Sequence, residues 1–246
     1  DPKTRDTALR VLAGTDDRTR RLILKELKEL RDARQKEKSR KRSELRGVVT
    51  EKVSAADRRV KIEIGTSGWR AIMAPPGTIE NAGFTLANVG RLTQAVAREM
   101  TERIPGRKPR ILVTYDTRQG SKEFAQHVAE VLAANQVEVA LVEDHPVTTP
   151  VSAAQTRPAL GSQAYDLALQ ITPSHNPPLP AWNGVKFMAH GGPAPDELTQ
   201  AFADRANDER SNKKYQRLPL EQAKKEKDKK VSVVDLKQKS DERLRR

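Results

Sequence analysis

Between residues 60 and 200, short β-branched runs alternate with helix-period stripes, and no other feature constrains the fold of the chain as much. Val60, Ile62 and Ile64 alternate with polar residues as a half-buried strand does, and three further runs have strand length: RILVTYD from Arg110, VEVALVE from Val137 and DLALQIT from Asp166. Between them, Val89, Leu92, Val96, Met100 and Ile104 form one helical stripe, and Phe124, Val128, Val131 and Leu132 form another. Strands that alternate with helices predict an α/β fold, a mixed sheet flanked by helices, whose ligands gather beyond the carboxyl ends of the strands.

Three of those ends carry polar motifs. The first predicted strand runs into GTSGWR (65–70), the second into YDTRQGS (115–121) and the last into TPSHNPP (172–178). These turns bring Arg70, Arg118 and Ser174 toward one mouth. A serine beside two guanidinium groups points to phosphate, because the planar fork of arginine matches phosphate oxygens. Taken singly, Gly65 and Gly68 read as an ordinary tight turn, and Asp116 with Arg118 as a structural ion pair.

Charge divides the chain into three parts. Residues 1–59 hold 19 Lys and Arg against 11 Asp and Glu (+8), residues 60–200 hold 12 against 13 (−1), and residues 201–246 hold 15 against 9 (+6). A neutral centre with two basic arms is drawn to polyanions, since each neutralised phosphate releases counterions. In the first arm Ile23, Leu27 and Leu30 recur at helical spacing behind Asp17, a candidate N-cap. From Arg31 to Glu44 the only apolar side chain is Ala33, so Arg34, Lys36, Lys38, Arg40, Lys41 and Arg42 are candidate nucleic-acid contacts on a helix with no face to bury. In the second arm EQAKKEKDKK reads as a linker and VSVVDL as a short strand. The expected boundaries are a basic helical extension over 1–59, an α/β domain over 60–207 and a basic linker with the start of a truncated second domain over 208–246. The absence of cysteine excludes disulfides and thiolate chemistry. No apolar run reaches spanning length. That composition suits the cytoplasm or an organelle interior, and targeting is unreadable in a chain that starts at Asp1.

In order and spacing, GTSGWRAIMA, FTLANV, VTYDTRQGSKEFA, ITPSHNPP, WNGVKF and GGPAPDELT resemble the first domain of the α-D-phosphohexomutase family, the phosphoglucomutases and phosphomannomutases. Ala71 stands where that family's first loop has glycine. The resemblance implies a phosphoserine at Ser174 that exchanges its phosphoryl group with a hexose phosphate. His175 and Lys186 match positions that assist proton transfer and phosphoryl charge, and Arg70 matches the arginine of the first loop. It also implies Mg2+, with Ser174 contributing a ligand through its phosphate. The remaining ligands belong to a D-G-D-x-D-R loop of a second domain, and no D-x-D-x-D stands in this sequence. A complete mutase has four domains and about twice this length, so the resemblance predicts a domain that is incomplete as a catalyst by itself. The alternative reading is a non-catalytic structural subunit of mutase ancestry whose arms bind RNA or a large assembly such as an organellar ribosome.

The arms make that alternative testable. If they bind RNA, affinity falls steeply with added salt and removal of the first arm flattens the slope. Anisotropy across a salt series checks this, and a weak, flat response unchanged by the deletion would mean that the arms are merely solvated.

Overall fold

The computed structural model describes residues 18, 25–26, 28–35, 46–66, 68–210, 212–225 and 230–236. The chain divides into two compact units, Asp1–Arg46 and Gly47–Arg246. In the first, the described residues up to 35 are helical and exposed, Leu30 and Arg34 among them. Asp17, Ile23, Leu27, Lys36, Lys38, Arg40, Lys41 and Arg42 lie outside the described residues.

The second unit is a three-layer α/β structure. Its main sheet contains β2 (Gly68–Ile72), β3 (Arg110–Tyr115), β4 (Glu138–Leu141), β5 (Leu167–Ile171), β6 (Trp182–Ala189), β7 (Gly192–Pro193) and β9 (Val231–Val233), in the order β2-β6-β5-β3-β4-β9, with β7 paired to β6. Strands β5, β3, β4 and β9 are parallel, while β6 runs antiparallel to both β5 and β2. The sheet is therefore mixed, and β2, β3 and β5 all end at the same edge.

Side-chain alternation builds two cores. One face turns Val113, Leu169, Ile171, Val185 and Phe187 toward α2 (Leu86–Arg103) and α3 (Ser121–Ala134), whose stripes supply Val89, Leu92, Val96, Met100, Val128 and Leu132. The other face packs Leu112, Ala140, Ala168 and Met188 against Ala153 of α4 (Thr149–Ala154) and Leu236. The Thr85 side chain accepts the Asn88 N–H at 3.2 Å and caps α2. Three of the four strands predicted between residues 60 and 200 thus form as read, at β3, β4 and β5, and both helices predicted there form.

The fourth does not. Residues 60–64 lie outside any strand, although Ile62 is buried as the alternation requires. The Asn207 carboxamide takes the place of a neighbouring strand: its Oδ1 accepts the Ile62 N–H at 3.0 Å and its Nδ2 donates to the Ile62 carbonyl at 2.8 Å. Asn207 ends α5 (Asp196–Asn207). A long-range side chain can satisfy a backbone as a ladder does, and alternation alone does not distinguish the two.

Strand pairing extends past both boundaries read from charge. The short helix α1 (Ala55–Arg59) follows β1 (Val49–Lys52), which pairs antiparallel with β8 (Lys214–Arg217) as a separate two-stranded ribbon, and β9 joins the main sheet beside β4. The expected linker begins as α6 (Leu220–Lys225), with Ala223 fully buried. Lys224 anchors it on Glu143 at 2.7 Å. An arm deletion that leaves these contacts intact stops at Arg46.

His127 on α3 lies edge-on to Tyr215 of the ribbon, with ring centroids 5.5 Å apart. Burial, helped by the charge of Arg217, pushes its imidazole from 6.5 down to about 4. Glu130 stands 3.9 Å from Nδ1 but is engaged by Arg217 and by the Leu220 N–H. A group whose folded pKa is depressed leaves the unfolded chain binding the extra proton. The contribution of neutral His127 is therefore complete above pH 6.5 and is lost as pH falls toward about 4. Denaturant titrations at neutral and mildly acidic pH should show a loss of about 2–3 kcal/mol that His127→Gln removes, and equal losses in both proteins would refute it.

Candidate functional site

The shared edge of β2, β3 and β5 collects the polar motifs. After β5 the chain runs through Thr172 and buried Pro173 into Ser174, whose φ of +60° lies in the left-handed region. A non-glycine residue there is strained by about 1 kcal/mol or more, so the surroundings must impose the conformation. They do so with three hydrogen bonds: the Ser174 N–H donates to Thr172 Oγ1 at 3.0 Å, the Asn176 N–H to the Pro173 carbonyl at 3.3 Å, and Arg118 Nη2 to the Ser174 carbonyl at 3.4 Å. His175 projects from the same turn into solvent.

Arg70 and Lys186 occupy one face of the antiparallel pair β2–β6, where Arg70 stands opposite Gly184 and Lys186 opposite Gly68. Gly184 is required. A Cβ there would lie 2.7 Å from the Trp69 carbonyl oxygen and 2.8 Å from both Arg70 Cγ and the Thr172 carbonyl oxygen. Gly68 is as confined, with the Val185 carbonyl oxygen 2.6 Å from where its Cβ would stand. Gly65 and Gly68 exchange both backbone hydrogen bonds at 3.1 Å, so the glycine pair is the tight turn it reads as.

Asp116 makes no ion pair with Arg118. Its Oδ1 accepts the Arg118 backbone N–H at 3.0 Å and the Ser121 hydroxyl at 2.7 Å, which closes its own turn. The guanidinium is thus left to face Ser174. Burial lowers the pKa of Arg70, and burial followed by the charge of Arg70 lowers that of Lys186. Two buried nitrogens, Arg70 Nε and Arg118 Nη1, have no hydrogen-bond partner. Among the described residues, neither Arg70, Arg118 nor Lys186 forms an ion pair with an acid.

The site also contains residues that the sequence reading did not single out: Thr172, Ser121 and Asn183, the last two fully buried. Their signal was present only as neighbours of motif residues, in TPS, QGS and WNG. Among the described residues no three of His, Cys, Asp and Glu come together as a metal cage. The described residues do not fit Mg2+ by themselves.

Residues 61–213 match the family model described as phosphoglucomutase/phosphomannomutase, alpha/beta/alpha domain I. The chain belongs to this family. It is 31% identical over 163 residues to a phosphoglucomutase of Komagataeibacter xylinus, an alignment that covers 65% of this chain and 28% of the relative. A Staphylococcus aureus (strain USA300) phosphoglucomutase is 30% identical over 132 residues, 54% of this chain and 22% of the relative. The chain thus spans less than a third of the length of these curated relatives. The solved open form of Paramecium parafusin, a phosphoglucomutase, shares the fold with a TM-score of 0.60 at 20% identity, covering 80% of this chain and 36% of that one. Where the family's first loop has glycine, this phosphohexomutase domain has Ala71, and the methyl lies in the core of β2 opposite Asn183.

Gly184→Ala should destabilise the second unit by about 2–3 kcal/mol, since two backbones would have to part. Urea unfolding followed by circular dichroism checks it, and a change under about 0.5 kcal/mol, the scale of a neutral surface substitution, would contradict the close approach described here.

Proposed function

We propose that this chain is the phosphoserine-bearing domain of a sugar-phosphate mutase, acting on hexose phosphates. One observation supports it above the rest: Arg70 Nε and Arg118 Nη1 are buried without hydrogen-bond partners at the edge that bears the strained Ser174. Buried donors left unsatisfied are costly, and a dianionic phosphate on Ser174 Oγ would accept from both. The motif match over 61–213 points the same way.

In this reading a sugar hydroxyl attacks the phosphorus, the bond from phosphorus to Ser174 Oγ breaks, and the phosphoryl group passes to the sugar. Arg70 and Arg118 hold the equatorial oxygens, where charge accumulates. The proton that the hydroxyl gives up ends on the departing Ser174 Oγ, relayed by His175, exposed beside the serine, and by Lys186, whose pKa burial and the charge of Arg70 lower. Mg2+ would supply further charge neutralisation, with the phosphate on Ser174 as the one ligand assigned to this chain. Among the described residues no group of three His, Cys, Asp or Glu could complete that ligand set.

A second reading, a structural subunit whose arms bind RNA or a large assembly, draws on the exposed helical residues 28–35, among them Arg31 and Arg34. It does not account for the paired orphan nitrogens.

Incubation with glucose 1,6-bisphosphate and Mg2+ should add one phosphate at Ser174, located by mass spectrometry and absent from Ser174→Ala. Interconversion of glucose 1-phosphate and glucose 6-phosphate by the purified chain should be negligible. Labelling elsewhere would overturn the proposal, and measurable turnover would overturn the expectation that the chain is incomplete as a catalyst by itself.

A further inference from the structure

Arg118 sits in a loop that has almost no freedom, and Asn183 takes it away. Asn183 is the second residue of β6 and is fully buried. Its Nδ2 donates to the Gln119 carbonyl at 3.1 Å and to Ser121 Oγ at 3.1 Å, and its Oδ1 accepts the Gly184 N–H at 2.9 Å. Ser121 passes the connection on, donating to Asp116 Oδ1 at 2.7 Å, and the same oxygen receives the Arg118 N–H at 3.0 Å. The backbone is therefore fixed on both sides of Arg118, by Asp116 before it and by Gln119 after it. Gly120, at φ +76°, turns the chain into α3 with no room to spare, since a Cβ there would stand 3.0 Å from Met73 Sδ.

We propose that Asn183 is a positioning residue for Arg118, and through Arg118 for the Ser174 turn. The inference rests on the phosphoserine reading above and deepens it. An arginine side chain loses about 2 kcal/mol of rotamer freedom when it is fixed, and a backbone already held in place leaves less to lose when the anion arrives. The buried carboxamide also makes the arrangement directional. It offers two donors to the loop and one acceptor to its own strand, so the loop bearing Arg118 keeps its place relative to the strand bearing Lys186, three residues on. A hydrophobic side chain at position 183 would leave the Gln119 carbonyl and the Gly184 N–H unsatisfied together and remove the donor to Ser121 Oγ.

The test uses the full chain and inorganic phosphate as the probe, with affinity read by calorimetry and Arg118→Ala locating the site. Asn183→Ala should weaken binding about ten-fold, the scale of one lost charge-assisted hydrogen bond. Asp116→Ala, at a less buried position, should weaken it similarly. Asp116→Asn keeps an acceptor oxygen and should restore wild-type affinity. If Asp116 acted by charge alone, both of its variants would bind phosphate more tightly, and that result overturns the proposal. Hydrogen exchange gives a second readout: the Ser174 amide should exchange faster in Asn183→Ala while the β3 amides keep their protection. Faster exchange throughout the sheet would make Asn183 a general stabiliser and also overturn it. Wild-type binding matched by Asn183→Ala sinks the positioning role alone. A wild-type chain that binds no phosphate, or binds it unchanged in Arg118→Ala, sinks the phosphoserine reading and the positioning role with it.

Discussion

The site depends on three backbones meeting at Gly184. β2, β6 and the residue following β5 come so close there that the Trp69 and Thr172 carbonyl oxygens occupy the space of a side chain. Thr172 donates its N–H to the Gly184 carbonyl at 2.9 Å, which extends the β5–β6 pairing one residue beyond the strand. From this junction Arg70 leaves on one side and the Ser174 turn on the other, with Lys186 two residues along β6. A side chain at that point would separate the cations from the serine. The catalytic geometry proposed here is thus first a matter of backbone approach, and only then one of charge.

Elsewhere in the unit charge is neutralised with care. Arg205 is shared between Glu99 and Glu102, Arg217 between Glu51 and Glu130, and Arg107 pairs with Asp166 at 2.6 Å. Arg91, buried in α2, spends its donors on Asn88 Oδ1 and on the Ala206, Asp57 and Val60 carbonyls. Its pKa is lowered to about 10, chiefly by burial, so it remains charged at neutral pH. Against this background, unpaired Arg70, Arg118 and Lys186 stand out as a local excess of positive charge. An anion brought to them would neutralise that excess.

The fold was legible wherever burial alone decides the residue type. β3, β4 and β5 are buried on both faces and read as continuous apolar runs, and the stripes of α2 and α3 follow from one-sided contact with the sheet. β6 was not legible, because its Asn183, Gly184 and Lys186 serve the site and interrupt the apolar pattern. Residues 60–64 were misread for the opposite reason: the pattern is present, and the Asn207 carboxamide replaces the strand. Of the site, Arg70, Arg118, Ser174 and His175 stand in motifs read as strand ends, and Lys186 was marked only by the family resemblance. Asn183 and Ser121 touch only protein, and nothing in their own identity distinguishes a buried amide or hydroxyl from one on the surface.

The ribbon β1–β8 constrains how the chain reaches this state during synthesis. Val49 pairs with Arg217 and Lys52 with Lys214, so β1 waits for more than 160 further residues before its partner exists. β3, β4 and β5 lie closer together in the chain and can begin to pair while β1 still has nothing to bind. Emerging from the ribosome, the α/β centre therefore assembles ahead of the segment that precedes it. The ribbon closes late, and its pairing sets Tyr215 edge-on against His127.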